Sequence, residues 1–419
     1  MSYREQMITA LEEGNLEKAK KDYKKVMESG TDEEKYLLAE DLQHLGFLQE
    51  TVDLYENLLK KYPGEGDLIV GLSEVFVEMD NEEKAIELLL TLSEQDPEYP
   101  RALLLLADLY QMQGLHEVSE RKLVQAKQLL PNEEVIDFAL AELYMELGRF
   151  LEAIRFYNSL LAGGTTEIAG VHIHQRLAEA YSVGGAFEEA LKHYEKASSN
   201  SLEINTLFGY GFTAYQAGFY ETAIEKFISV KELDPEYSSV YLLLAKAYEH
   251  EEKLKESFET VQEGISKDEF NKELYLFGGK IALKQVLEED AESLLRQSLA
   301  LDPGYSEAAF TLNKLFFTNE RYSDVLEIIN MLKAEGEEDP QIYWDSAKAF
   351  EGLEQYNDAL NHYRTAYTYF KNHEEFLIEY GEFLIEEGLR EEAIEIYKEL
   401  LRQDPSNVEW QEMIESLRD

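Results

Sequence analysis

Apolar residues recur along this chain at intervals of three and four, in stretches of about a dozen residues. That spacing predicts helices with one buried face. The stretches come in pairs, and the pairs repeat. Prolines mark the beat. Pro63, Pro97 and Pro131 lie 34 residues apart, Pro303 lies two periods beyond Pro235, and Pro405 lies three beyond Pro303. Each follows a second stretch, where a proline stops a helix. Pro100 and Pro340 fall outside the register.

Small residues keep the same beat. Ala19, Ala85, Ala153, Ala190, Ala223, Ala291, Ala359 and Ala393 mark the second helix of eight units, and Thr51, Ser119, Ser257 and Val325 fill the other four. Upstream, on the first helices, lie Ala39, Ser73, Ala107, Ala141, Ala178, Gly211, Ala245, Gly279, Ala347 and Gly381, with Met7 and Asn313 as exceptions. Three residues further on comes a mostly large side chain, such as Tyr110, Tyr144, Phe316 or Phe350. Small residues on both helices predict close backbone approach, with the large ones filling the core around them. Gly14, Gly46, Gly114, Gly148, Gly185, Gly218 and Gly388 fall between paired helices, where a helix end takes a left-handed residue.

Twelve helix pairs are expected over roughly residues 1–406, with residues 407–419, through Trp410 and Ile414, as a capping helix. Two steps depart from the period: unit two follows unit one by 32 residues, and unit six follows unit five by 37, with the extra residues in LAGGTTEIAG, residues 161–170. Two accounts stay open, a tolerated loop and a hinge. The expected organisation is units one to five over 1–162, a Gly-rich insert and candidate hinge over 163–170, units six to twelve over 171–406, and the cap.

The blocks RALLLLADLYQMQGLHEVSERKLVQAKQLLP and FGYGFTAYQAGFYETAIEKFISVKELDP carry period, alanine, aromatic and proline together. On these residues the chain resembles the tetratricopeptide repeat (TPR) family. The resemblance implies an all-α fold, a right-handed α-solenoid of about twelve helix-turn-helix units. It also implies a non-catalytic scaffold or adaptor that binds a protein or peptide in its concave groove. In length and acidity the chain is similar to cytosolic TPR proteins of Bacillus-type bacteria. Members that clamp a C-terminal carboxylate carry lysine and asparagine on successive first helices. The matching positions of repeats two to four hold Tyr36, Glu40, Val70, Glu74, Leu104 and Asp108, so that clamp is not expected.

Charge narrows the partners. Lys plus Arg number 39 against 86 Asp plus Glu, a formal net charge of −47. Such a surface repels nucleic acid and anionic membranes. There is no cysteine, so disulfides, thiolate metal sites and cysteine nucleophiles are excluded. No apolar run nears the ~20 residues of a membrane helix, and the first residues carry no secretory pattern. A cytoplasmic location is the expectation. His172 and His174, two apart, do not share a helix face as metal ligands would. Gly209 and Gly211 fit helix packing better than a phosphate loop. No enzyme, cofactor or metal is expected.

The resemblance implies that first helices line the concave surface, with the fifth, ninth and twelfth residues of each unit facing it. The ninth position reads Glu40, Glu74, Asp108, Glu142 and Glu179 in repeats two to six, then Phe212, then Lys246, Lys280, Lys314 and Lys348, and returns to Glu382. Beside the basic half lie Leu242, Leu276, Phe310 and Trp344 at the fifth position and Phe317 at the twelfth. Two accounts stand. Either each lysine pairs with an acid of the next repeat, or the lysines and apolar residues form a rail for an acidic-hydrophobic segment. The candidate site is Lys246, Lys280, Lys314 and Lys348 with Phe310, Phe317, Trp344, Leu276 and Leu242. The alternative function is self-assembly, a homo-oligomer formed by docking the acidic half of one molecule on the basic half of another.

Overall fold

A computed structural model describes residues 2–197 and 203–418. The described residues form twenty-five helices and one two-stranded antiparallel pair. Successive helices pair as the periodicity predicts, from Tyr3–Glu12 with Leu16–Ser29 to Glu374–Glu386 with Arg390–Gln403. The chain divides into two compact units, Met1–Leu202 and Glu203–Asp419. Each is an α-solenoid of six helix pairs, and the second ends in the helix Val408–Arg418. Trp410 and Ile414 of that helix are buried in one cluster with Tyr397 and Leu400 of the last repeat.

The small-residue slots do what their size suggests. Nearly all the alanines of both series are fully buried. A Cβ on Gly211 would sit 2.7 Å from the Phe227 ring, and one on Gly279 would sit 2.6 Å from Leu295. Only a residue without a side chain lets those helices come so near. The two exceptions, Met7 and Asn313, are buried in the same slots.

Every helix pair turns through one left-handed residue. Glycine occupies seven of these positions, and Asp80, Glu252, Val286, Glu320 and Glu354 occupy the other five. The next residue then donates its backbone N–H back across the turn, as Leu115 does to Tyr110 and Gln355 to Phe350, both at 2.8 Å. This satisfies carbonyls that a helix end leaves open.

The insert is folded. The helix Phe150–Gly163 ends at Gly164, whose φ is 95°. Strands Glu167–Ile168 and Val171–His172 then pair around Ala169 and Gly170, both at positive φ. Leu160 before the insert and Ile173 and Leu177 after it belong to one buried cluster, with Ile168 packed against it. The apolar core therefore continues across the segment read as a candidate hinge. The division into compact units falls after Leu202, between repeats six and seven.

Candidate functional site

The four ladder lysines all lie in the second unit, on helices Ser239–His250, Lys272–Lys284, Ser306–Thr318 and Gln341–Gly352. The structure treats them differently. Lys280 pairs with Glu307 of the next repeat. Lys348 pairs with Glu379 of the next repeat at 2.8 Å. Its ammonium also lies 5.3 Å from the Phe317 ring centre and 5.9 Å from that of Trp344. Lys246 is half-buried, with its ammonium 6.0 Å from the Phe277 ring centre. Lys314 is exposed, and its ammonium has neither an ion pair nor a hydrogen bond among the described residues.

Lys246 likewise has no ion pair among the described residues, although Glu273 holds the place after it that Glu307 holds after Lys280. Lys280 finds its acid at the second position of the following repeat. The same position after Lys314 is Gln341, which is neutral and donates to Asp345 instead. The pairing account thus holds for Lys280 and Lys348, while Lys246 and Lys314 have no ion pair among the described residues.

The apolar residues separate in the same way. Leu276 and Trp344 are 5% and 6% exposed. They were expected on an open groove wall, but packing against neighbouring repeats encloses them. Trp344 sits among Phe370, His373 and Phe376 with ring centres 5.2 to 5.3 Å away. Its indole N–H donates to Glu379 at 2.7 Å. Glu379 therefore holds Trp344 and Lys348 together. Leu242, Phe310 and Phe317 are half-buried.

Five of the nine candidates meet at one place. Phe310, Lys314, Phe317, Trp344 and Lys348 line a cleft of about 970 Å³ in repeats ten to twelve. Lys246, Lys280, Leu242 and Leu276 are not among its lining residues. The cleft also contains Asp345, which the ladder reading missed. It is buried, and it accepts hydrogen bonds from Asn313 at 2.9 Å and Gln341 at 2.8 Å. Burial pushes its pKa upward, and those two hydrogen bonds and the charges of Lys348 and Lys314 only partly offset it. The signal was present in the sequence: Asn313 breaks the small-residue series one residue before Lys314.

The acidic ladder of the first unit is largely occupied. Arg101 donates twice to Glu74, at 2.7 and 2.9 Å. Arg176 lies 3.0 Å from Glu142 and 2.8 Å from Glu179. His172 and His174 do not act together. His174 pairs instead with His193, their Nδ1 atoms 2.9 Å apart. No group of three or more metal-ligating side chains is placed to hold an ion among the described residues.

Known proteins can now be set beside this geometry. The family of YpiA-like tetratricopeptide repeats matches residues 111–165, and YpiA-like C-terminal repeats match 340–407, which includes most of the cleft. A general tetratricopeptide repeat family matches 45–109. The chain is 43% identical to the TPR repeat-containing protein YpiA of Bacillus subtilis over 99% of its own length and 98% of the relative's. Among solved structures it is similar to the C-terminal part of a TPR repeat-containing protein from Cytophaga hutchinsonii. There the TM-score is 0.50 at 18% identity, covering 57% of this chain and 98% of that one. It is also similar to the APC/C assembly Cut9–Hcn1, with a TM-score of 0.39 at 12% identity, over 100% and 96% of the two chains.

Proposed function

Since the chain belongs to the YpiA-like tetratricopeptide-repeat family, we propose that it is a non-catalytic scaffold that holds a segment of a partner protein in the cleft of repeats ten to twelve. The observation that carries this reading is Lys314. It is an unpaired ammonium lining a cleft with several aromatic residues, whereas Lys280 and Lys348 are each tied to an acid and Lys246, also unpaired, lies outside the cleft. An unpaired cation beside apolar surface suits an acidic-hydrophobic segment, which supplies both the counter-charge and the area to bury. That no helix among the described residues is long and apolar enough to cross a membrane fits a scaffold working in the cytoplasm.

The test is a comparison of two charge reversals in affinity capture from a native-type cytosol. Lys314→Glu is expected to lose a captured partner, with affinity at least tenfold lower. A charge-assisted hydrogen bond contributes ~1.5–3 kcal/mol, and ~1.4 kcal/mol is tenfold. Lys280→Glu is expected to retain that partner, because Lys280 already has Glu307. Equal retention by both variants would remove the cleft from consideration. Self-docking of the two halves is less favoured, because Glu74, Glu142 and Glu179 are already engaged by arginines. Light scattering at low and high salt tests it, since a salt-sensitive oligomer is what self-docking requires.

A further inference from the structure

We propose that this cleft is a socket for one tyrosine or tryptophan side chain of the partner, whose O–H or N–H donates to Asp345 while a neighbouring partner carboxylate meets Lys314. The inference rests on the reading above that the cleft holds the partner segment.

The argument begins with a misplaced residue. Asn313 occupies a slot that ten of the twelve repeats give to alanine, glycine or serine. It is 0% exposed, and its Oδ1 has no hydrogen-bond partner. A buried amide with an orphan oxygen is costly, so its presence asks for a compensating use. Its Nδ2 donates to Asp345, and Gln341 donates to the other carboxylate oxygen. Together they fix a carboxylate that is 6% exposed and lines the cleft. Each of its oxygens accepts one of these bonds and has capacity for another. Neither cleft lysine forms an ion pair with it: Lys348 is held by Glu379, and Lys314 is unpaired.

The cleft thus offers an under-used acceptor in a lining that mixes aromatic side chains, such as Phe310, Phe317 and Phe370, with charged ones. A cationic side chain would meet the like charges of Lys314 and Lys348, which line the cleft with Asp339 and Glu375, and it brings no aromatic surface to the ring walls. Serine or threonine brings a donor but too little apolar surface to cover Phe310, Phe317 and Phe370. Phenylalanine or leucine covers the walls but adds no donor to the two that Asp345 already has from Asn313 and Gln341, and sites built around a hydrogen bond reject the analogue that lacks it. Tyrosine and tryptophan are the side chains that join a large apolar body to one neutral donor. A volume of about 970 Å³ accommodates such a ring with room for a neighbouring residue. Lys314 then selects an acid beside it.

The experiment starts from a display library of random twelve-residue peptides, selected against the full chain. Trp344 and Trp410 are its two tryptophans. Trp410→Phe therefore leaves Trp344, in the cleft wall, to report occupancy by its emission. Labelled peptides supply affinities by anisotropy. The selected peptides are expected to carry tyrosine or tryptophan next to aspartate or glutamate and to perturb Trp344. Lys314→Glu is expected to weaken them at least tenfold. Changing the peptide's tyrosine to phenylalanine is expected to cost tenfold or more on the unaltered chain. On Asp345→Ala, if circular dichroism shows it folded, the same peptide change is expected to cost less than twofold. The peptide change alone decides the matter if that variant does not fold. Peptides that depend on Lys314 but lose less than twofold from tyrosine to phenylalanine overturn the socket and leave the cleft reading intact. Peptides indifferent to Lys314, or no peptides at all, overturn both.

Discussion

Position 286 shows how a single residue can run against its repeat. Val286 sits at φ 61° in the turn of repeat nine and is 77% exposed. Seven other repeats place glycine at this point. A β-branched residue has a steric cost of ~1–2 kcal/mol in the left-handed region. Glycine removes that cost but gives the unfolded chain ~0.5–1 kcal/mol more conformational entropy. Val286→Gly is therefore expected to stabilise by up to about 1 kcal/mol, read as a higher thermal midpoint. A lower midpoint would mean that Val286 makes a contact its exposure does not reveal.

Helices are joined in pairs, and repeat six has an unusual joint. His174 on the helix Ile173–Val183 meets His193 on the helix Phe187–Ala197, and Tyr181 stacks on His193 with ring centres 5.5 Å apart. Burial, then His174 and Lys196, push His193 down to about 4, although Glu189 opposes them. His174 moves down as well, through burial and Lys196. Unfolded histidine titrates near ~6.5, so between pH 6.5 and 4 the unfolded chain binds more protons than the folded one. Stability from this joint is full above that window and falls as pH drops through it. His193→Phe keeps a ring on Tyr181 and removes the larger of the two titrations, leaving that of His174. Its thermal midpoint is expected to fall less between pH 7 and 4.5 than that of the unaltered chain. Equal falls would show that carboxylates elsewhere dominate acid unfolding.

The whole molecule carries a net charge of −47, and its ion pairs use only a fraction of its acids. Self-repulsion at that charge destabilises a folded chain and is screened over a Debye length of ~10 Å at 0.1 M salt. Raising sodium chloride from about 20 to 300 mM is expected to raise the thermal midpoint. A decrease would mean that the inter-repeat pairs outweigh the net repulsion. The same charge bears on binding. An acidic partner segment meets repulsion at long range and attraction only near Lys314, so moderate salt is expected to favour its approach.

What the sequence determined by itself was everything local and periodic. Helix pairs, their small-residue contacts and the final helix follow from spacing, because a repeat that packs only on its neighbours writes the same constraints every 34 residues. Five of the turns lack glycine yet keep the left-handed residue, because the packed pairs on either side impose the turn. Tertiary structure decided what periodicity cannot express. A ladder position says which face a lysine lies on, whereas its neighbour in the next repeat decides whether it is free, and so Lys280 and Lys348 are tied while Lys314 is not. Trp344 and Leu276 share a helix position with Phe310 but are enclosed, because burial depends on the side chains that the adjoining repeat brings. The insert at 163–170 left a loop and a hinge open, and the structure adds that buried residues on both sides of it share one cluster and that the compact units divide between repeats six and seven. Asn313 marked the place in the sequence, but only the fold brings Asn313 and Gln341, on two different helices, together on Asp345.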